Sequence, residues 1–326
     1  VKTVGSLGEW KWLAGLLPGL SRDLSRRVVL GPGDDAALVR AGRAWWAVTT
    51  DMLVEGVHFR RRWTSGVDLG FKALAVNLSD LAAMGDVRPL FGVVSAGLPP
   101  GTPVAYIKDF YRGFRALSRR HGFDLVGGDT VRADRLTVTV TAVGRVRRKD
   151  RIFRRETARP GDVLLVTGTL GDAAAGLRIL ERGRPVRSAD ERFLVRRFRR
   201  PTPRFDDARR LAAAGVRAGL DNSDGLWRSV RLLGEASGTG AEVHLERLPI
   251  SAPLARWAGA KALNLALAGG EDYELIVAAS PAVARRIVRR GWAVAVGEIP
   301  ARRAAFTLFQ NGRPREAPSG FEHFNA

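Results

Sequence analysis

A set of acidic residues stands apart in this sequence because they sit beside Gly, Thr, Ser or Asn instead of on a charged helix face: Asp34, Asp35, Asp51, Asp80, Asp129, Asp221, Asp224, Glu271 and Asp272. Carboxylates, with hydroxyl, carbonyl and water oxygens, are the ligands that the hard cation Mg²⁺ takes, and magnesium usually reaches a protein together with substrate phosphates. The pattern points to a phosphate-handling metal site. Taken singly, each motif has a plainer meaning, since Asp next to Gly is also a turn residue or a helix N-cap. Their recurrence along one chain weakens that meaning.

Each motif carries its own alternative. Thr49-Thr50-Asp51 closes an apolar, β-like block, which would leave backbone carbonyls free to bind or hydrate a cation, or would make it a strand-terminal cap. Asp80 lies in a largely apolar helical pattern, where an ionised carboxylate is costly unless paired or bound to metal. Gly127-Gly128-Asp129 and Gly269-Gly270-Glu271-Asp272 put paired glycines before an acid, for close backbone approach to a ligand or for a tight turn. Asp221-Asn222-Ser223-Asp224-Gly225 runs into an apolar helix, so Ser223 or Asp224 is either an N-cap or part of a metal site. His58, between Val57 and Phe59, either touches a substrate or packs. Gly31-Pro32-Gly33-Asp34-Asp35-Ala36 formally fits G-x-G-x-x-A, with Asp51 near where a ribose-binding acid would stand. Two adjacent carboxylates facing a pyrophosphate, and a β-like block where a crossover helix is needed, argue against a dinucleotide fold.

These motifs need elements to hold them. Apolar spacing predicts helices over 7–17 (ended by Pro18-Gly19), 70–85, 102–121, 172–180, 206–214, 226–236 and 281–290. Strands are expected at 28–30, 45–50, 90–98, 125–126 (running into the Gly127 motif), 137–146, 163–167, 241–245, 273–278 and 293–296. In the first long helix Asn77 and Asp80 are polar among apolar neighbours and need partners. Arg147 to Arg159 lacks an apolar pattern, so the chain divides there into 1–150 and 151–326, while Arg196 to Arg204, with Pro201 and Pro203, reads as a basic linker.

The 326 residues suffice for about two domains, and 45% hydrophobic with 26% charged residues describes a folded, soluble protein. The formal net charge of +20 favours an anionic partner. A nucleic-acid-binding protein is the alternative class, suggested by Arg196-Arg197-Phe198-Arg199-Arg200, but the basic residues are dispersed and no zinc finger, RNP-like motif or basic zipper occurs. The absence of cysteine excludes disulfides, thiol nucleophiles and thiolate-bound metals, and the four histidines show no zinc spacing. No apolar run approaches the ~18 residues that cross a bilayer, and Val1 to Ala14 lacks signal-peptide features, so a cytoplasmic protein without membrane contact is expected.

In order, Gly31-Pro32-Gly33-Asp34-Asp35-Ala36-Ala37, Thr49-Thr50-Asp51 with His58, Lys72 through Asn77-Leu78-Ser79-Asp80 to Gly85, Gly127-Gly128-Asp129-Thr130, Asp221 to Gly225, and Gly269 to Leu275 resemble the thiamine-monophosphate kinases. The resemblance implies a two-domain α+β and α/β architecture of the aminoimidazole ribonucleotide synthetase-like fold, with an N-terminal domain that pairs into a dimer β-barrel and a C-terminal α/β domain that completes a nucleotide cleft. It implies ATP-dependent phosphorylation of thiamine monophosphate to thiamine diphosphate with several Mg²⁺ ions, by a homodimer. Another ATP-using enzyme of the same superfamily is the nearest alternative. By matching position, Asp35, Thr49, Thr50, Asp51, Asp80, Asp129, Asp221 and Asp224 would bind magnesium. Gly128, Asp129, Arg155, Ser223 and Tyr111 would contact ATP, and His58 and Glu271 the thiamine phosphate. Asp51, Asp80, Asp129 and Arg155 would be the residues closest to the transfer. Some members carry an aromatic residue just before the terminal tail where this chain has Pro318, which leaves Phe321 to stack on the thiamine ring.

Overall fold

A computed structural model describes residues 3–7, 9–22, 24–301 and 305–317. After helices α1 (Val4–Leu7) and α2 (Glu9–Arg22), the first half builds strands β1 (Val28–Leu30), β2 (Ala37–Ala41) and β3 (Ala44–Val54), helix α3 (Gly66–Ala83), strand β4 (Val87–Leu98), helix α4 (Val104–His121), and strands β5 (Asp124–Arg132) and β6 (Thr137–Val146). These strands form a six-stranded sheet ordered β1-β2-β3-β6-β4-β5. All neighbours are antiparallel except β4 and β5.

Inward-facing Ala47, Leu53, Val94, Val138, Val140 and Ala142 bury the sheet face against α3. Ser65 caps α3 by accepting from Asp68 N–H at 3.2 Å. Nearly the whole helix is buried because α4 crosses it at backbone distance: a Cβ on Gly70 would stand 1.8 Å from Phe110 O, and one on Gly113 would stand 1.9 Å from Val67 O. The outer face of the sheet is left open, with Thr50 and Met52 exposed and every residue of β5 exposed.

The second half comprises β7 (Val163–Val166), α5 (Asp172–Glu181), α6 (Ala189–Arg199), α7 (Phe205–Ala214), β8 (Ala218–Asp221), α8 (Leu226–Ser237), β9 (Ala241–His244), α9 (Ala252–Ala258), α10 (Ala262–Ala268), β10 (Leu275–Ala279), α11 (Pro281–Arg289), β11 (Val294–Glu298), β12 (Phe306–Gln310) and β13 (Arg313–Arg315). Its mixed sheet runs β13-β12-β9-β11-β7-β10-β8. Apolar clusters cover both faces, with α8 and α10 on one side and α7, α11 and the end of α3 on the other. Two-domain α+β and α/β architecture is therefore what the chain adopts. The two halves meet along α3, and Phe153, from the segment between them, is fully buried with Ala82, Ala83 and Leu275.

Several expectations need correction. The second helix runs past Pro18 to Arg22, since a proline there removes one backbone hydrogen bond without stopping the helix. Thr49-Thr50-Asp51 does not end a strand; β3 continues to Val54 with β6 paired throughout. Gly127-Gly128-Asp129 is strand, not turn, because Gly128 has no Cβ to strike Val94 O, 2.0 Å away. Of the basic stretch expected as a linker, Arg196 to Arg199 is the last turn of α6, opened by a capping box at Ser188 and Glu191, and only 200–204, with Pro201 and Pro203, connects it to α7. The strand expected from 273 starts at Leu275, after Tyr273 with φ 52°.

Candidate active site

Four segments converge between the halves. The turn after β1 supplies Asp34 and Asp35, the inner face of β3 supplies Thr49 and Asp51, α3 supplies Asn77, Ser79 and Asp80, and the end of β8 supplies Asp221. One carboxylate oxygen each from Asp35, Asp80 and Asp221 lies within 4.8 Å of the others. Asp35 and Asp221 are buried and Asp80 half-buried, so the cluster keeps one side open.

Each acid is oriented by a neighbour. Thr49 Oγ1 donates to Asp80 at 2.6 Å, and Ser79 Oγ donates to Asp221 at 2.7 Å across the two halves. Arg155 Nη2 donates to Asp35 Oδ1 at 2.7 Å, and its backbone N–H donates to Asp34 at 3.1 Å. Asn77 Oδ1 accepts from Asp51 N–H at 2.9 Å while its amide donates to Ala73 O, so both polar residues of α3 find the partners that they require.

Burial, then the crowding of like charges, raises the carboxyl pKa values. Asp51 rises to about 6 through burial, Asp224 and Asp35. Asp221 rises to about 8 through burial and Asp35, against the Ser79 bond. Asp34 rises to about 7 through burial and Asp35, and Asp80 well above the ordinary range through burial and then Asp51, Asp221 and Asp35. The Arg155 guanidinium answers this negative field; burial opposes its charge, yet Asp35, Asp34 and Asp221 outweigh that and strengthen its hold on its proton.

Among the described residues nothing hydrogen-bonds the buried Asp35 Oδ2, an expensive omission for a carboxyl oxygen. Clustered oxygens, an orphaned buried one and an open side fit a divalent cation with oxygen ligands.

Two loops of the second half frame the cluster and interlock. Glu271 N–H donates to Ser223 O at 2.6 Å, Tyr273 N–H to Asn222 O at 3.0 Å, and Asn222 N–H to Glu274 O at 2.8 Å. Glu271 and Tyr273 both have positive φ, 69° and 52°, and Gly270 sits where a Cβ would be 2.3 Å from Ser223 O. The acids of this loop have divided work. Asp272, raised to about 8 by burial, accepts from Gly171 and Ala173 N–H at the start of α5. Glu274, fully buried, takes Thr167, Arg197 and Arg204. Burial lifts the Tyr273 hydroxyl well above its usual pKa, and Glu271, Asp51, Asp221 and Asp80 add to it, so this phenol shares their neighbourhood. Helix α8 is N-capped by Gly225, without a side-chain bond, so neither Ser223 nor Asp224 is its cap.

The structure thus gathers Asp35, Thr49, Asp51, Asp80, Arg155 and Asp221, with Asp224 close enough to raise Asp51. It does not gather Thr50, Gly128, Asp129 or Tyr111 with them in one chain. Thr50 points to the opposite sheet face, where its hydroxyl meets Val140 O and Thr141 Oγ1. The register Asp51, Val140, Val94, Gly128 sets Gly128 three strands away, about 14 Å. Asp129, one residue on, shares the open face with Thr50 and Met52. Tyr111 is on α4, edge-on to Phe110. His58 Nδ1 accepts from Val54 N–H at 3.0 Å in the turn after β3. Phe321 and Pro318 lie outside the described residues. Sequence reasoning did not single out Ser79 or Lys72 as functional, although a polar residue in an otherwise apolar helix was signal enough for both. The block from Trp45, where the G-x-G-x-x-A match would need a crossover helix, is strand β3, and the unexpected strand β2 precedes it.

Known proteins share this arrangement. The family profile "AIR synthase related protein, N-terminal domain" matches residues 33–146 and its C-terminal counterpart 159–307. A thiamine-monophosphate kinase of Bacillus subtilis is 41% identical over 76% of this chain and 77% of its own, and one of Aquifex aeolicus is 34% identical over 83% and 85%. A solved structure described as "AaThiL complexed with AMPPCP and TMP" superposes with a TM-score of 0.87 at 30% identity, covering 99% of both chains. Both halves and the acidic motifs between them fall inside these matches, and the chain belongs to the thiamine-monophosphate kinase family.

Proposed function

We propose that this protein transfers the γ-phosphoryl group of ATP to thiamine monophosphate, forming thiamine diphosphate and ADP. The observation that carries the reading is the Asp35, Asp80 and Asp221 cluster, whose oxygens lie within 4.8 Å of one another between the two halves. Family membership and the relative solved with AMPPCP and TMP support it.

An acceptor phosphate oxygen attacks the γ-phosphorus as the bond to the β,γ-bridging oxygen breaks, and ADP leaves with that electron pair. A phosphate monoester is largely ionised at pH 7, so the acceptor needs no general base. Catalysis then rests on alignment and charge. Asp35, Thr49, Asp51, Asp80, Asp221 and Asp224 would hold Mg²⁺, which when bound offsets the charge of the phosphate oxygens. Arg155 holds Asp35 in place and adds positive charge beside the transferring group. Ser223 would contact nucleotide, and His58 and Glu271 would flank the acceptor; Phe321, expected at its ring, lies outside the described residues.

Residues 1–150 bind nucleotide and pair subunits, and 151–326 complete the cleft. The exposed β5, with Leu125, Val126 and Val131, and the open face with Met52 are the surfaces for a second copy, whose sheet would bring Thr50 and Asp129 under cover in a barrel. ATP use suits a cytoplasmic setting; no described helix is long and apolar enough to cross a membrane. The test is ADP and thiamine diphosphate formation from ATP, thiamine monophosphate and MgCl₂. Folded protein that turns over other phosphorylated acceptors but not this one would overturn the assignment.

A further inference from the structure

Lys72 is the largest fully buried side chain with a charge, 1% exposed in the middle of α3. Lysine is rarely buried, because losing water around an ammonium is expensive. Its Nζ lies 2.7 Å from Glu271 Oε1, a contact of charge without hydrogen-bond geometry, and 3.9 Å from the centroid of Phe198. Among the described residues no other acceptor serves it. A methionine would fill the same space beside Phe198 at no cost in charge, so the ammonium must act on Glu271.

Glu271 is held in an unusual way. Its backbone is left-handed, pinned by Ser223 on one side and by the Asp272 caps on the other, and its side chain meets Lys72. The Glu271 side chain is 23% exposed against 1% for Lys72, so the pair reaches solvent from the glutamate side. Its neighbourhood, shared through Tyr273 with Asp51, Asp80 and Asp221, is the cleft of the carboxylate cluster. Lys72 lies on the i, i+4, i+8 row of α3 with Val76 and Asp80, about 12 Å along the axis from Asp80.

Resting on the function proposed above, we infer that Lys72 is a positioning residue for the acceptor. It holds the Glu271 carboxylate by one oxygen, Oε1 at 2.7 Å, and leaves the other to be presented to a cationic, amine-bearing ring. Thiamine monophosphate has both features, a thiazolium charge and an aminopyrimidine N–H donor, whereas ATP has no positive charge. The lysine thereby selects the acceptor without touching it.

Calorimetric binding of thiamine monophosphate without ATP, together with steady-state kinetics, tests this on the full chain with Lys72→Met, Glu271→Gln and the double variant. Each single change is expected to weaken acceptor binding by about 10- to 100-fold and to leave the KM for ATP unchanged; the melting temperature should stay equal or rise for Lys72→Met and fall for Glu271→Gln, which leaves the buried ammonium unpaired. The double variant should bind no more weakly than Glu271→Gln alone. Wild-type binding of the acceptor with Lys72→Met binding equally well overturns the inference alone, as do losses that simply multiply. Should Lys72→Met fail to fold, wild-type affinity in Glu271→Gln overturns it as well. A wild-type protein that does not bind thiamine monophosphate removes the functional reading and this inference together.

Discussion

At Asp34, Asp51, Asp221 and Asp272 burial comes first and, in the cluster, neighbouring carboxylates second, and both hold the folded-state pKa above the unfolded value near 4. The folded chain therefore keeps protons that the unfolded chain has released. The resulting stability is complete below pH 4 and is lost as pH rises through about 6 for Asp51, 7 for Asp34 and 8 for Asp221 and Asp272. Metal-free protein should accordingly melt at a lower temperature at pH 8.5 than at 6.5, a range that lies above the titration of His121, whose pKa burial lowers. MgCl₂ should restore the loss in the wild type. In the same melts Asp80→Asn, which keeps an acceptor for Thr49 while removing a repelling charge, should gain about 0.5–2 kcal/mol without metal, lose the response to MgCl₂ and fall in activity by at least about 100-fold. A destabilised Asp80→Asn that still responds to MgCl₂ would contradict the cluster's role. The identity of these acids was legible because glycine and hydroxyl neighbours are chemically telling. Which of them meet was not, since Thr49 and Thr50 differ only by the parity of a strand.

Helix α3 carries this site because α4 comes close enough to bury it entirely. Gly66, Gly70 and Gly113 leave no room for a Cβ between the two backbones. Gly113→Ala should cost about 1–3 kcal/mol in denaturant unfolding, with activity falling only as far as the folded population does. A neutral substitution would mean that the two helices slide apart freely. Long elements such as α4 and β6 were readable in the sequence, since their burial follows one period for ten residues or more, and α3 was readable from its long apolar content. Short Ala-rich elements, α9, α10 and β2, were not, because they owe their form to what they pack against. The run at Arg196 misled for a related reason. Its charges are answered by Glu274 and Asp68, from segments far along the chain, which leaves no trace in local pattern.

For the molecule as a whole, the 53 lysines and arginines divide into those spent on pairs with acids, as at Asp35, Glu274 and Asp68, and the unpaired excess that makes up the +20 and would gather anionic substrates. The dimer is an expectation of the same scale. Val131→Lys, on the open face of the edge strand, should shift sedimentation from dimer toward monomer and reduce activity at low protein concentration, with the monomer's helical signal intact. Wild-type protein that sediments as a monomer at micromolar concentration would remove the barrel. A further consequence concerns the contacts that join the halves: Ser79 to Asp221, Asp35 to Arg155, Lys72 to Glu271 and Asp68 to Arg200. Each takes one member from before residue 150 and one from after it. A hybrid gene that takes its first half from one relative and its second from another would place these partners under different ancestries. Such chimeras should fold in each half and yet work only where all four pairs are inherited as matched sets, so the gene recombines as one unit although the chain folds as two.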